Sequence, residues 1–274
     1  MKKPKTSSVY LLTGAASGIG AATARLAVEQ GHRVMLADIN LRGAKAVAAP
    51  LGDRAAAIAL DIRSPEAWDQ ALAATVQQFG QLDVLVNNAA VVHTGYARDV
   101  PIDKHQHTID TNFMGPLIGM LAGVRHFRKQ GRGHLVTVCS MTAFIPFPGI
   151  ASYGASKHAL RAFHHSLALE ERKEPIDFTI VHPTSTQTPM LEAEKNDDAT
   201  ALAFASEPVT PEFVAETIMR AIKRKSLEIF MPPEQARAVR MLGTDAKKLR
   251  ELIDTMEAIG RDAQLAARAA DAVA

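Results

Sequence analysis

Tyr153 and Lys157 stand four residues apart in the run Tyr153-Gly154-Ala155-Ser156-Lys157, and on a helix that spacing puts both side chains on one face. A tyrosine hydroxyl near its usual pKa of about 10 is a poor base at neutral pH, but an adjacent ammonium favours the phenolate. The pair is a candidate general acid/base. On an arbitrary surface helix it would be only a pair of neighbours; here a second motif precedes it. Thr13-Gly14-Ala15-Ala16-Ser17-Gly18-Ile19-Gly20 falls between a strand-like run and a helix-like one, where closely spaced glycines let backbone amides and a helix N-terminus approach a pyrophosphate. Its spacing is G-x-x-x-G-x-G, which without that flanking context would be no more than a tight turn. Asp38 closes the next strand 24 residues after Gly14, about where a carboxylate accepts hydrogen bonds from an adenosine ribose. It would repel the 2′-phosphate of NADP, and Ser17 brings no positive charge to offset that, so NAD(H) is favoured over NADP(H). Arg42 leaves some room for the phosphorylated cofactor, and the structural alternative is that Asp38 merely caps the following helix.

These residues need a scaffold, and the periodicity supplies one. Short apolar runs alternate with amphipathic segments, the pattern of repeated βα units on a parallel sheet. Strands are expected at Val9–Leu12, Arg33–Asp38, Ala56–Leu60, Leu82–Val86, His134–Val138, Asp177–Val181 and Leu227–Met231. Helices are expected from Ile19 to Gly31, near Leu41 to Ala49, from Pro65 to Phe79, from about Asp103 to Lys129, from Ser152 to Arg172 and from Pro211. Between Pro183 and Pro211 the periodicity lapses, which predicts a mobile loop or lid. From Pro233 the chain reads as two or three helices appended to the core, with Leu249, Leu252, Ile253 and Met256 at apolar spacing. The fold class is α/β, a Rossmann-like doubly wound parallel sheet: residues 1–233 form the dinucleotide-binding and catalytic domain, and 234–274 a helical C-terminal extension of it.

Composition excludes other classes. The 31 Lys+Arg against 29 Asp+Glu lack the basic excess of a nucleic-acid binder. A single cysteine, Cys139, forms no intramolecular disulfide and no multi-thiolate zinc site, which fits a reducing cytoplasm. The start, Met1-Lys2-Lys3-Pro4-Lys5, has the charge of a signal-peptide n-region, but the apolar run Val9 to Leu12 is too short for an h-region. The longest nearly apolar stretch, Gly115 to Val124, has ten residues, about half of the ~20 that span a bilayer.

Across about Val9 to Pro233 the chain resembles the short-chain dehydrogenase/reductase superfamily, with its motifs in order. Thr13 to Gly20 is similar to TGxxxGxG, Asn87-Asn88-Ala89-Ala90 to NNAG, Tyr153 to Lys157 to YxxxK, and Pro183 with Thr188 to PGxxxT; Asn112 and Ser140 lie 41 and 13 residues before Tyr153. The resemblance implies an NAD(P)-dependent enzyme acting on CH–OH groups. Asn112, Ser140, Tyr153 and Lys157 would be catalytic, with Ser140 bonding the substrate oxygen and Asn112 holding a water that relays protons toward Lys157. Gly14, Ser17, Gly18, Ile19, Gly20, Asp38, Asp61, Ile62, Asn88, Ala89, Tyr153, Lys157, Pro183 and Thr188 would hold the cofactor. Asp61-Ile62 would frame the adenine, Lys157 the nicotinamide ribose and Thr188 the carboxamide. No metal is implied, and a homodimer or homotetramer is expected. Two positions depart from the pattern: Ala90 and Thr184 stand where the family has glycine.

The function expected is NAD-dependent interconversion of a secondary alcohol and a ketone or aldehyde on a lipophilic small molecule, steroid-like or aromatic. The alternatives are an NADPH-dependent carbonyl reductase and a non-catalytic NAD(H)-binding protein. Apolar residues between Phe144 and Ile150, and Met190, Leu191, Leu202 and Phe204, are candidates for the substrate pocket. His93, after the fourth strand, is a further candidate substrate contact. Neither His105/His107 nor His164/His165 has metal-ligand spacing, and most of them read as surface residues, while Cys139 reads as core. The basic run from Arg220 to Arg250 reads as a solvated helical face.

Overall fold

The computed structural model describes residues 7–271; the basic start, Met1 to Lys5, and residues 272–274 of the Ala-rich finish lie outside the described residues. Seven strands, β1 (Val9–Thr13), β2 (Arg33–Asp38), β3 (Ala55–Ala59), β4 (Val84–Asn87), β5 (Gly133–Val138), β6 (Ile176–Pro183) and β7 (Glu228–Met231), form one parallel sheet in the order β3-β2-β1-β4-β5-β6-β7. The order reverses between β1 and β4, so a crevice opens beyond their C-terminal ends, the place where open α/β sheets bind ligands.

Successive side chains of a strand point to opposite faces, and the sheet is buried on both. Leu11, Leu85, Leu135 and Ile180 pack under α3 (Pro65–Phe79), α5 (Gly115–Gln130) and α6 (Ala151–Glu170). Their neighbours Tyr10, Leu12, Val86, Val136 and Val181 pack under α1 (Gly18–Glu29), α2 (Leu41–Ala48) and α8 (Pro211–Arg224). Trp68, fully buried on the first face, donates its Nε1–H to the Ile62 carbonyl at 2.9 Å. Truncating it to alanine would cost about 3–5 kcal/mol.

The long helix expected from Asp103 to Lys129 is broken in register. α4 (Ile102–Ile109) passes into α5 through a π-helical turn, Asp110–Met114, a widening that recurs at functional sites. Asn112 sits in that turn.

Two expectations are corrected. The segment after Pro183 is a folded element, with α7 (Pro189–Lys195) followed by 3₁₀ turns over Asp198–Phe204 in which Ala199 to Phe204 are all buried. Short, Ala-rich pieces carry too few turns to show a helical period. The C-terminal helices, α9 (Ala236–Thr244) and α10 (Ala246–Asp271), are not simply appended. Gln264 Nε2 donates to the carbonyls of Glu194 at 3.1 Å and Asp197 at 2.9 Å, and Arg268 Nε to that of Lys195 at 2.6 Å. Gly260 lies so close that a Cβ there would fall 2.0 Å from the Ala201 carbonyl oxygen. α10 therefore clamps the segment between β6 and α8, using three residues spaced four apart on one helical face.

Candidate active site

One cavity of about 640 Å³ lies beyond the strand ends at the β1/β4 reversal. Fourteen of the residues singled out from the sequence line it: Gly14, Ser17, Gly18, Ile19, Asp38, Asp61, Ile62, Asn88, Ala89, Ser140, Tyr153, Lys157, Pro183 and Thr188. Gly20 and Asn112 stand behind the wall. A Cβ at Gly20 would come within 2.1 Å of the Gly14 carbonyl oxygen, so only glycine lets the loop fold back onto the start of α1.

The loop is fixed from β4. Asn88 donates through Nδ2 to the carbonyls of Thr13 at 2.9 Å and Gly14 at 3.2 Å, and the Thr13 hydroxyl accepts the N–H groups of Asn88 and Ala89. No side chain caps the first turn of α1, which leaves its N–H groups to an anion. At the other end, Asp38 accepts the N–H of Ala16 at 2.9 Å and of Asn40 at 2.8 Å. The cap of α2 is Asn40, which accepts from the Gly43 N–H, so Asp38 is not spent on that helix. Asp61 is held by Arg63 through Nε and Nη2, and this guanidinium keeps its carboxyl below the usual range. These residues fit a dinucleotide: a tight glycine cradle with free amides, then a carboxylate at the ribose position.

At the catalytic end, Lys157 is 2% exposed; its Nζ donates to the Val138 carbonyl at 3.3 Å and stands 5.4 Å from the centre of the Tyr153 ring. Burial pushes the Tyr153 hydroxyl well above its usual range and the Lys157 ammonium down. The Glu194 carboxylate pushes Tyr153 further up, whereas Ser140 beside it pulls the other way. The Ser140 hydroxyl accepts from the Thr142 N–H and hydroxyl at 3.1 and 3.0 Å, and so has its own proton left to donate. Asn112 is wholly buried and bonds both ways to Val91, Oδ1 to its N–H and Nδ2 to its carbonyl, each at 2.8 Å. Its side chain thus joins the π turn to the loop after β4.

Ala90 and Thr184 cause no backbone strain: among the described residues, Lys225 is the one non-glycine with positive φ. The Cys139 thiol donates to the Lys157 carbonyl and is pushed up to about 11 by burial, which suits core packing.

The histidines are distributed differently from expectation. His93 is not among the cavity-lining residues; its Nδ1 meets the Thr108 hydroxyl at 3.0 Å and its ring packs edge-on against His107, which does line the cavity. His164 is buried rather than on the surface, its Nδ1 meeting the Thr137 hydroxyl at 2.9 Å. Of the apolar candidates, Phe147, Ile150, Met190 and Leu191 line the cavity; Phe204 clusters with Leu191 without lining it, and Leu202 is buried away from it. Arg63, His107 and Glu194 are cavity residues with no motif to announce them.

Residues 8–199 match the short chain dehydrogenase family. The chain belongs to that family. A 3-alpha-(or 20-beta)-hydroxysteroid dehydrogenase of Mycobacterium tuberculosis is 36% identical over 202 residues, covering 73% of this chain and 78% of the relative. A 2,5-dichloro-2,5-cyclohexadiene-1,4-diol dehydrogenase of Sphingobium indicum is 33% identical over 185 residues, 66% of this chain and 74% of that one. Among solved structures, a 3-ketoacyl-(acyl-carrier-protein) reductase of Brucella melitensis complexed with NADH superposes with a TM-score of 0.74 at 27% identity, covering 81% of this chain and 95% of that one. A family member from Burkholderia phymatum in complex with NAD shares the fold, with a TM-score of 0.81 at 21% identity over 89% of this chain and 95% of that one. As a short-chain dehydrogenase, the protein is an oxidoreductase of a family that binds a nicotinamide cofactor, and no helix among its described residues is long and apolar enough to cross a membrane.

Proposed function

We propose that the protein is an NAD-dependent dehydrogenase that interconverts a secondary alcohol and a ketone on a lipophilic small molecule, with Tyr153 as general acid/base. The observation that carries this reading is the continuity of the cavity. An apolar chamber walled by Phe147, Ile150, Met190 and Leu191 opens onto Tyr153, Ser140 and Lys157, and the same cavity runs on past the glycine loop to Asp38. A carbinol in that chamber meets a proton acceptor and a hydrogen-bond donor together.

In alcohol oxidation the O–H proton goes to the Tyr153 oxygen in its phenolate form and the C–H bond breaks as the C=O bond forms. NAD, when bound, supplies the acceptor for the hydride. The Ser140 hydroxyl donates to the substrate oxygen, where negative charge develops. Lys157, by its charge, opposes the burial that raises Tyr153. Asn112 holds the Val91 backbone and through it the loop that borders the chamber. Gly14, Ser17, Gly18, Ile19, Asn88 and Ala89 would hold the pyrophosphate end, Asp38 the adenosine ribose, Asp61 and Ile62 the adenine, and Pro183 and Thr188 the carboxamide. The NAD preference rests on Asp38, since no cation among the described residues forms an ion pair with it, while Arg63, which lines the same cavity, is taken by Asp61.

The test is fluorescence titration with NADH and NADPH at matched concentrations, followed by a screen of cyclic secondary alcohols with NAD. Tight NADH with turnover is the expected result. Tighter NADPH would recast the protein as a carbonyl reductase, and NADH binding without turnover of any alcohol or ketone would make it a cofactor-binding protein.

A further inference from the structure

Glu194 is a carboxyl with no assigned work. It lies on α7 and is 8% exposed, yet it lines the same cavity as Tyr153 and Leu191. Its main-chain carbonyl is spent on Thr200 and on Gln264 of the clamping helix. Its carboxyl makes no hydrogen bond and no ion pair with any described residue. The adjacent Lys195 is directed to Glu192 and Asp271 instead. A buried carboxyl without partners is costly, and a structural role would be served better by an apolar side chain of the same size. Phe147, Ile150, Met190 and Leu191 give the chamber its apolar wall, with short hydroxyl side chains such as Thr142, Ser185 and Thr186 also lining the cavity, and in such pockets a few polar groups fix the orientation of the ligand.

We propose that Glu194 determines substrate specificity by binding a second hydroxyl of the substrate while Tyr153 and Ser140 hold the reacting one, so that the preferred substrates are diols. The inference rests on the dehydrogenase reading above. The charge state of Glu194 favours a hydroxyl over an ammonium. Burial pushes its carboxyl up to about 7, so both forms are populated near neutrality, and a hydroxyl pairs with either: it donates to the carboxylate and accepts from the acid. An ammonium pairs only with the ionised form and loses its own hydration in the chamber.

The test is equilibrium binding to the NADH-loaded full chain, where no hydride can leave an alcohol, of cyclohexane-1,4-diol, cyclohexanol and 4-aminocyclohexanol. Wild type, Glu194→Leu and Glu194→Gln are compared. Each variant supplies its own diol-to-monool ratio, so a general loss of affinity cancels. The wild type is expected to prefer the diol roughly 10- to 100-fold, the worth of a hydrogen bond to a charged group. The ratio should fall to near one in Glu194→Leu and stand between in Glu194→Gln. The same ratio in Glu194→Leu as in wild type, preference for the amino alcohol, or binding of none of the three would overturn the inference. Turnover with NAD, measured in parallel, separates the two readings: turnover without diol preference removes Glu194 and keeps the dehydrogenase, and diol preference without turnover does the reverse.

Discussion

The side of the cavity proposed for the cofactor and the side proposed for the substrate are built by opposite means. On the cofactor side the wall is backbone, shaped by glycines and fixed by short polar side chains at the ends of β1, β2 and β4: Thr13, Asp38 and Asn88 each bond main-chain groups of a neighbouring turn. On the substrate side the wall is side chain, carried by the loop before α6 with Phe147 and Ile150 and by α7 with Met190 and Leu191, and the α7 segment is held from outside by Gln264 and Arg268 some seventy residues later. A pyrophosphate and ribose are the same in every enzyme that binds them, so fixed backbone donors serve. A substrate differs from enzyme to enzyme, and a wall of exchangeable side chains on a clamped segment allows that variation without disturbing the sheet.

If the two sides are separable, removing the base should leave the cofactor side untouched. Tyr153→Phe is expected to lower kcat by about 10²- to 10⁴-fold while NADH affinity, followed by fluorescence, stays within a few-fold of wild type. Loss of NADH binding along with activity would show that the two sides are one unit and break the comparison. Asp38→Ala probes the other side. It removes a carboxylate from the proposed ribose position, one bond from the glycine loop and one from the turn before α2, and should weaken NADH roughly 10- to 100-fold while narrowing its advantage over NADPH. The KM of a cyclic alcohol at saturating NAD should barely move.

A smaller effect should run the opposite way. Gly260→Ala places a methyl against the Ala201 carbonyl, so α10 must lift from the segment it clamps. The KM for the alcohol should rise roughly five-fold, matching about 1 kcal/mol of lost restraint, with NADH affinity unchanged. Limited proteolysis reads the same event as faster cleavage between α7 and α8. If KM stays fixed and cleavage does not quicken, the clamp has no bearing on the substrate side.

This contrast also explains what could be read beforehand. The seven strands and their order of helices follow from local periodicity, and the glycine loop, Asp38, Asn88, Ser140, Tyr153 and Lys157 are carried by motifs whose spacing is local to one βα turn. Glu194 has no such spacing, because its position depends on α7 folding back over the cavity. The clamp was equally hidden. The apolar spacing of α10 draws attention to Leu249, Leu252, Ile253 and Met256, yet Leu252 is 38% exposed, and the contacts on Glu194 and Ala201 come from Gly260 and Gln264. The pair Gly260/Gln264, continued by Arg268 at the same spacing of four, was a legible signal only to a reader who already expected a helix to approach backbone closely.

A last contrast sets the core around the sheet against the clamped segment, in the sign of the response to acid. Under the sheet, burial holds His134 down at about 4 and His164 at about 3, against an ordinary value of about 6.5 in the unfolded chain. Both stay neutral in the folded protein while the unfolded chain takes up protons, so their contribution is complete above pH ~6.5 and is lost as pH falls toward 3 to 4. Glu194 acts inversely. Its carboxyl, raised to about 7 from 4.5, contributes fully below pH ~4.5, and that contribution is lost as pH rises through 7. Denaturant unfolding from pH 4 to 8 should therefore show stability rising to about pH 6.5 and level above 7, because the loss at Glu194 between 4.5 and 7 runs against the larger gain at the two histidines, leaving a net slope of about 1 kcal/mol per pH unit near pH 5.5. Glu194→Gln should steepen that rise, and His134→Gln should lessen it. An unchanged slope in Glu194→Gln would mean that the clamped segment has no titration of its own and that the core histidines alone set the response.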